Sequence, residues 1–88
     1  MLKLSATSQF SRDLKLCKKR NYDLELLNAV VDVLRIPAPL PPNNKDHNLI
    51  GNYKGKRECH ITPDWLLIYV IKDDELLLYR TGTHSDVF

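Results

Sequence analysis

Eighty-eight residues make one domain and leave no room for a second. Hydrophobic residues at 43% and charged residues at 27% are ordinary for a folded chain and exclude a disordered or fibrous one. A net charge of +2 hides two basic clusters that suit a polyanionic partner: Lys3, Arg12, Lys15, Lys18, Lys19 and Arg20 against Asp13 alone, then Lys54, Lys56 and Arg57 against Glu58.

In chain order, Leu2 and Leu4 flank Lys3 in the alternation of a short first strand. Thr7 or Ser8 can cap the helix that follows, in which Phe10, Leu14 and Cys17 share one face. That helix stops near Asn21. Asp23 caps a second helix whose stripe, Leu27, Val30, Val31 and Leu34, marks packing on one side. Ile36-Pro37 ends it, because proline disfavours helical geometry in the residue before it. So short a link makes the pair an antiparallel hairpin.

From Pro37 to Asn48 the chain reads as an irregular loop stiffened by four prolines and carrying Lys45, Asp46 and His47. Lys56 to Thr62 alternates, with Arg57, Cys59 and Ile61 on one face and Lys56, Glu58 and His60 on the other. Thr62-Pro63-Asp64 is a turn. Trp65 to Ile71 is apolar on both faces, as a central covered strand would be, and Glu75 to Thr81 forms the last strand after a turn at Lys72-Asp73-Asp74. The order β-α-α-β-β-β predicts an α+β fold with two helices on one face of a mostly antiparallel sheet.

The run from Trp65 to Ile71 is the longest apolar stretch and falls far short of the ~20 residues that span a bilayer. Residues 1–5 carry no apolar stretch long enough for a secretory signal, so the expectation is a cytoplasmic protein without a membrane partner. Cys17 and Cys59 are isolated and read as inert core thiols.

Chemistry has few carriers. His47, His60 and His84 are the three histidines, and each sits where an element begins or ends. The hairpin at Pro63 is expected to bring Asp64 beside His60, so that carboxylate and imidazole orient one another. The tail from Arg80 to Phe88 holds a glycine turn, a histidine and a final aromatic. Phe88 reads either as a hydrophobic plug or as a surface for an unpaired base, and Trp65 allows the same two readings, core packing being the safer. Three histidines could also ligate zinc, but they lack the short spacings of most such sites.

The ordered set Lys45-Asp46-His47, His60-x-x-x-Asp64-Trp65 and Arg80-Thr81-Gly82-Thr83-His84 with Phe88 resembles the YafQ-type branch of the RelE/ParE toxin superfamily. The resemblance implies a ribosome-dependent mRNA endonuclease that cuts in the A site without a cofactor. It also implies neutralisation by a cognate antitoxin of ribbon-helix-helix type in a hetero-oligomeric complex. By position it assigns His47, His60, Asp64 and His84 to catalysis. Trp65 and Phe88 fall to substrate placement, and Arg80 to a phosphate contact supported by Lys54 or Lys56. His84 is then the general acid for the leaving 5′-oxygen, with Asp64 or His47, acting with His60, as the base. The rivals are a non-catalytic member of the same fold, such as a gyrase poison or antitoxin-binding protein, and a generic RNA-binding module.

Overall fold

Strand alternation and helical stripes settle into one five-stranded sheet in a computed structural model that describes residues 1–88. In chain order the elements are β1 (Lys3–Ala6), α1 (Ser8–Lys19), α2 (Leu24–Arg35), β2 (His47–Asn48), β3 (Arg57–Thr62), β4 (Trp65–Lys72), β5 (Glu75–Gly82) and α3 (His84–Val87). The sheet order is β1-β5-β4-β3-β2, with β1 parallel to β5 and every other pair antiparallel. No helix is long and apolar enough to cross a membrane.

Both helix starts are capped as the sequence predicts: Thr7 accepts from the Phe10 N–H and Asp23 from the Glu25 N–H. The two stripes then meet the sheet. Phe10, Cys17, Leu27, Val30, Val31 and Leu34 pack with Cys59, Trp65, Leu67, Tyr69, Leu76 and Leu78 in one buried cluster. Cys17 and Cys59 are free thiols inside it, and burial pushes the Cys59 thiol up to about 12. The opposite face is thinner. Its only buried cluster is Leu66, Ile68 and Val87, flanked by Leu49, Tyr53 and Tyr79.

Two elements go beyond the predicted order. β2 is two residues long and exists only through its pairing with β3, so no local period announces it. α3 is a single turn fixed by a capping box in which Thr83 and Asp86 bond each other's backbone N–H.

Register decides what the open face carries. His47, Glu58, Ile68 and Arg80 stand opposite one another across β2, β3, β4 and β5. His60, Leu66 and Gly82 form the next row. The first row depends on a β-bulge: Tyr69 pairs with Leu78, but Ile68 pairs with Arg80, so Tyr79 is an extra residue in β5. Strict alternation from Leu76 and Leu78 would send Arg80 toward the helices. The extra residue inverts that parity and sends Thr81 into the core instead, where it is 1% exposed.

Candidate active site

On the open face, one buried carboxylate serves two imidazoles. Glu58 is 6% exposed, and its Oε1 lies 3.5 Å from Nε2 of His47 and 3.5 Å from Nε2 of His60. The other nitrogen of each ring meets a backbone carbonyl: His47 Nδ1 is 2.6 Å from Lys45 O, and His60 Nδ1 is 3.3 Å from Pro63 O. A carbonyl oxygen only accepts, so each Nδ1 carries the hydrogen. Glu58 is an acceptor as well, so each Nε2 can donate to it when it carries a proton.

Across a floor of Leu66 and Ile68 lies the second half of the face, on β5 and the tail. Two strand spacings separate β3 from β5, roughly 10 Å. Arg80 is clamped there, Nε and Nη2 donating to the two oxygens of Asp13 at 3.0 Å each and Nη2 reaching Asp86 O at 3.4 Å. Burial pushes the Asp13 carboxyl up, but bonds from Arg80, Gln9 and the Thr81 N–H outweigh it and hold the group below its ordinary range. Arg80 Nη1 makes no hydrogen bond to Asp13 or the tail, and the guanidinium pKa is raised by Asp13 first and by the nearby Tyr53 hydroxyl as well.

The tail is tied down from three sides. Asp86 pairs with Arg20 at 2.6 Å, Tyr53 donates to Val87 O at 2.6 Å, and Val87 is buried under the open face. Gly82 is required for the fold-back: its φ is +150°, and an added Cβ would meet the Asp86 carboxylate at 2.8 Å. These ties place His84 in the first turn of α3, with Phe88 stacked 4.8 Å from it and Tyr53 5.3 Å from Phe88. Phe88 is 52% exposed, so the plug of the tail is Val87 and the aromatic surface is Phe88. Lys56 holds its ammonium 4.5 Å over the Tyr79 ring, and Lys54 is exposed beside it in the chain.

One sequence expectation is corrected, that of Asp64 beside His60, and the two readings of Trp65 narrow to core packing. Asp64 does not pair with His60, whose ring contacts are Glu58 and the Pro63 carbonyl. The register slips between His60 and Thr62, and Asp64 instead lines a groove of about 270 Å³ with Tyr22, Asp23, Leu26, Thr62 and Trp65. Trp65 is a core residue, 3% exposed, its Nε1 donating to Thr81 Oγ1 at 2.8 Å and its ring 5.0 Å from Tyr22. It forms a wall of that groove and lies away from the His47–Glu58–His60 cluster. The residue that sequence reasoning passed over is Glu58. The signal was present, since alternation puts it on the His60 face two residues away. Tyr53 and Tyr79 gave no such signal. Nor do three or more His, Cys, Asp or Glu side chains gather in an arrangement that could hold a metal.

Residues 2–88 match the family described as bacterial toxin of type II toxin-antitoxin system, YafQ. The mRNA interferase toxin YafQ of Escherichia coli K12 is 43% identical over 83 residues, 93% of this chain and 90% of that protein. A copper-bound mutant toxin from Helicobacter pylori superposes with a TM-score of 0.95 at 45% identity, each chain covered in full. The toxin of the E. coli DinJ-YafQ toxin-antitoxin complex superposes with a TM-score of 0.90 at 40% identity, covering 100% of this chain and 99% of that one.

Proposed function

Because the chain belongs to the YafQ family of type II toxin-antitoxin toxins, we propose that it is an endoribonuclease that cuts messenger RNA and arrests translation. The observation that carries this reading is the open face itself. Two imidazoles on one carboxylate lie on one side of an apolar floor, with Arg80 across it on β5 and His84 in the tail that follows. In-line attack by a 2′-hydroxyl needs a base and an acid on opposite sides of phosphorus, and these groups would supply both.

His60 or His47 takes the 2′-hydroxyl proton on its Nε2, and the 2′-oxygen bonds to phosphorus. Glu58 then faces the imidazolium that results, holding it by charge. Arg80, Lys56 and Lys54 balance the negative charge that grows on the phosphoryl oxygens. The bond from phosphorus to the 5′-oxygen breaks as His84 gives that oxygen a proton, leaving a 2′,3′-cyclic phosphate. Phe88 supplies a stacking face at the exit. Asp64 works from the rim of the β3–β4 turn as an acceptor for a ribose hydroxyl or base amine, and Trp65 holds that rim in place.

The partners follow from the family. The basic side of α1, with Lys15, Lys18 and Lys19 exposed, suits ribosomal RNA; the family resemblance implies that the messenger is met in the A site of a cytoplasmic ribosome. An antitoxin of ribbon-helix-helix type would mask the chain in a hetero-oligomer, as DinJ complexes the E. coli toxin. The test is purified chain added to a translating extract, with transcript ends mapped. In-frame cuts ending in cyclic phosphate are expected, falling ~10²–10⁴-fold with His84→Gln. Cutting is expected to survive a zinc-selective chelator that leaves the ribosome its magnesium; loss that added zinc restores overturns the metal-free route. Intact transcripts overturn the nuclease reading altogether.

A further inference from the structure

A second cavity opens beside the open face, on the far side of Arg80. It measures about 450 Å³ and is lined by Thr7, Ser8, Gln9, Tyr53, Tyr79 and Arg80. That volume falls within the roughly 300–1,000 Å³ of sites that hold small ligands. Its wall chemistry is specific: two tyrosine rings with centroids 6.0 Å apart, a lysine ammonium over one of them, and a clamped guanidinium. Thr7 is spent, its hydroxyl accepting from the Phe10 N–H and donating to Tyr79 O.

Gln9 is not spent. Its Nε2 donates to Asp13 Oδ1 at 2.9 Å, and its Oε1 accepts from Arg12 Nη2 at 2.9 Å. A carboxylate only accepts and a guanidinium only donates, so the amide cannot flip. One N–H and one lone pair of the amide remain unused in a side chain that lines the cavity. A nucleobase edge carries the acceptors and donors that such groups bond.

Resting on the nuclease reading, we propose that this cavity is a nucleotide subsite for the residue next to the scissile phosphate, and that Gln9 determines base preference there. Arg80 joins the two sites. Its register row places it on the face that holds Glu58, and it also walls the cavity, so a phosphate on its guanidinium leads the neighbouring base toward Tyr79. Tyr79 and Tyr53 give the base its stacking surface. The β5 bulge at Tyr79 is what brings ring and guanidinium to adjacent positions on one side of the strand.

The experiment has two arms. In the first, transcript ends are mapped for the full chain carrying Gln9→Glu or Gln9→Leu. Base preference at one position flanking the cut is expected to shift by about tenfold, and Tyr79→Ala is expected to raise KM by about tenfold while Tyr79→Phe restores it. An unchanged cut pattern in both Gln9 variants overturns the proposal. The second arm does not need cleavage. Full-length chain is titrated with a trinucleotide lacking the 2′-hydroxyl at the cut position, and side-chain amide, guanidinium and imidazole resonances are followed. Movement of the Gln9 amide and the Arg80 Nε–H supports the subsite even if no transcript is cut, in which case the nuclease reading alone falls. Movement confined to His47 and His60, or none at millimolar nucleotide, overturns the subsite.

Discussion

The two faces of one sheet have divided the work between them. Under the helices, twelve buried residues form one cluster, and its polar groups find partners at its margin: Trp65 Nε1 donates to Thr81 and the Tyr69 hydroxyl to Asp46. On the open face the buried apolar residues are only Leu66, Ile68 and Val87, and histidine, glutamate, arginine, lysine and tyrosine stand around them. The same three strands supply both. One face removes apolar area from water and holds the fold, while the other keeps a short apolar floor from which charged groups can face a phosphate. A thin-cored chain of this size has little stability to spare, so its site groups are tied to backbone carbonyls and to one another.

The sharpest way to test that division is to change one residue on each face. His60→Gln is expected to lower RNA cutting by ~10²–10⁴-fold while the denaturation midpoint stays within roughly 0.5 kcal/mol of wild type. Leu67→Ala, from the row that faces the helices, is expected to cost about 2–5 kcal/mol in chemical denaturation, since the side chain is fully buried and leaves a cavity. If His60→Gln unfolds the chain, or Leu67→Ala spares it, the two faces are not separate.

Asp13 is where the faces touch. It lies buried on α1, yet it fixes Arg80 of the open face and accepts from the Thr81 N–H that leads into the core. Asp13→Ala is expected to cost about 3 kcal/mol, because it strands a guanidinium and a buried N–H together, and to weaken cutting as well. Calorimetry and end mapping on the one variant check both. An effect on stability alone, or on cutting alone, would place Asp13 wholly on one side.

Acid should affect the tail most directly. The bond from Arg20 and those from the Thr83 backbone and hydroxyl hold the Asp86 carboxyl well below its ordinary value of 3.8, and Asp13 is also lowered. A depressed folded value means that the stabilisation is complete above 3.8 and is lost as pH falls through the folded values beneath it. Denaturant midpoints measured on either side of that point should drop toward acid, and Asp86→Asn should flatten part of the drop. The smallest effect concerns α1: replacing Lys15, Lys18 and Lys19 with Gln should leave stability alone. It should reduce the salt dependence of ribosome binding, by about one unit of slope for each phosphate that is no longer neutralised.

Much of this was written in the chain. The stripe Leu27, Val30, Val31 and Leu34 gave α2, and all four are buried. Thr7 and Asp23 gave the caps, Ile36-Pro37 the end of the second helix, and the alternation of Lys56 to Thr62 put Glu58 beside His60 on one face. The ordered histidines and the tail gave the resemblance to the toxin family. These are readings of period and of local chemistry, and period and local chemistry act over a few residues at a time.

What the chain could not show is how strands count against each other. Whether Arg80 faces the helices or the open face turns on one extra residue at Tyr79, and Asp64 misses His60 because the register slips at the turn between them. β2 exists only because Glu58 and Arg57 offer it partners. A side-chain pattern fixes which residues alternate along a strand, but a bulge is a property of two strands together, set by what packs above and below both. So the residues of the site were legible one at a time, and their meeting across four strands was decided by the sheet.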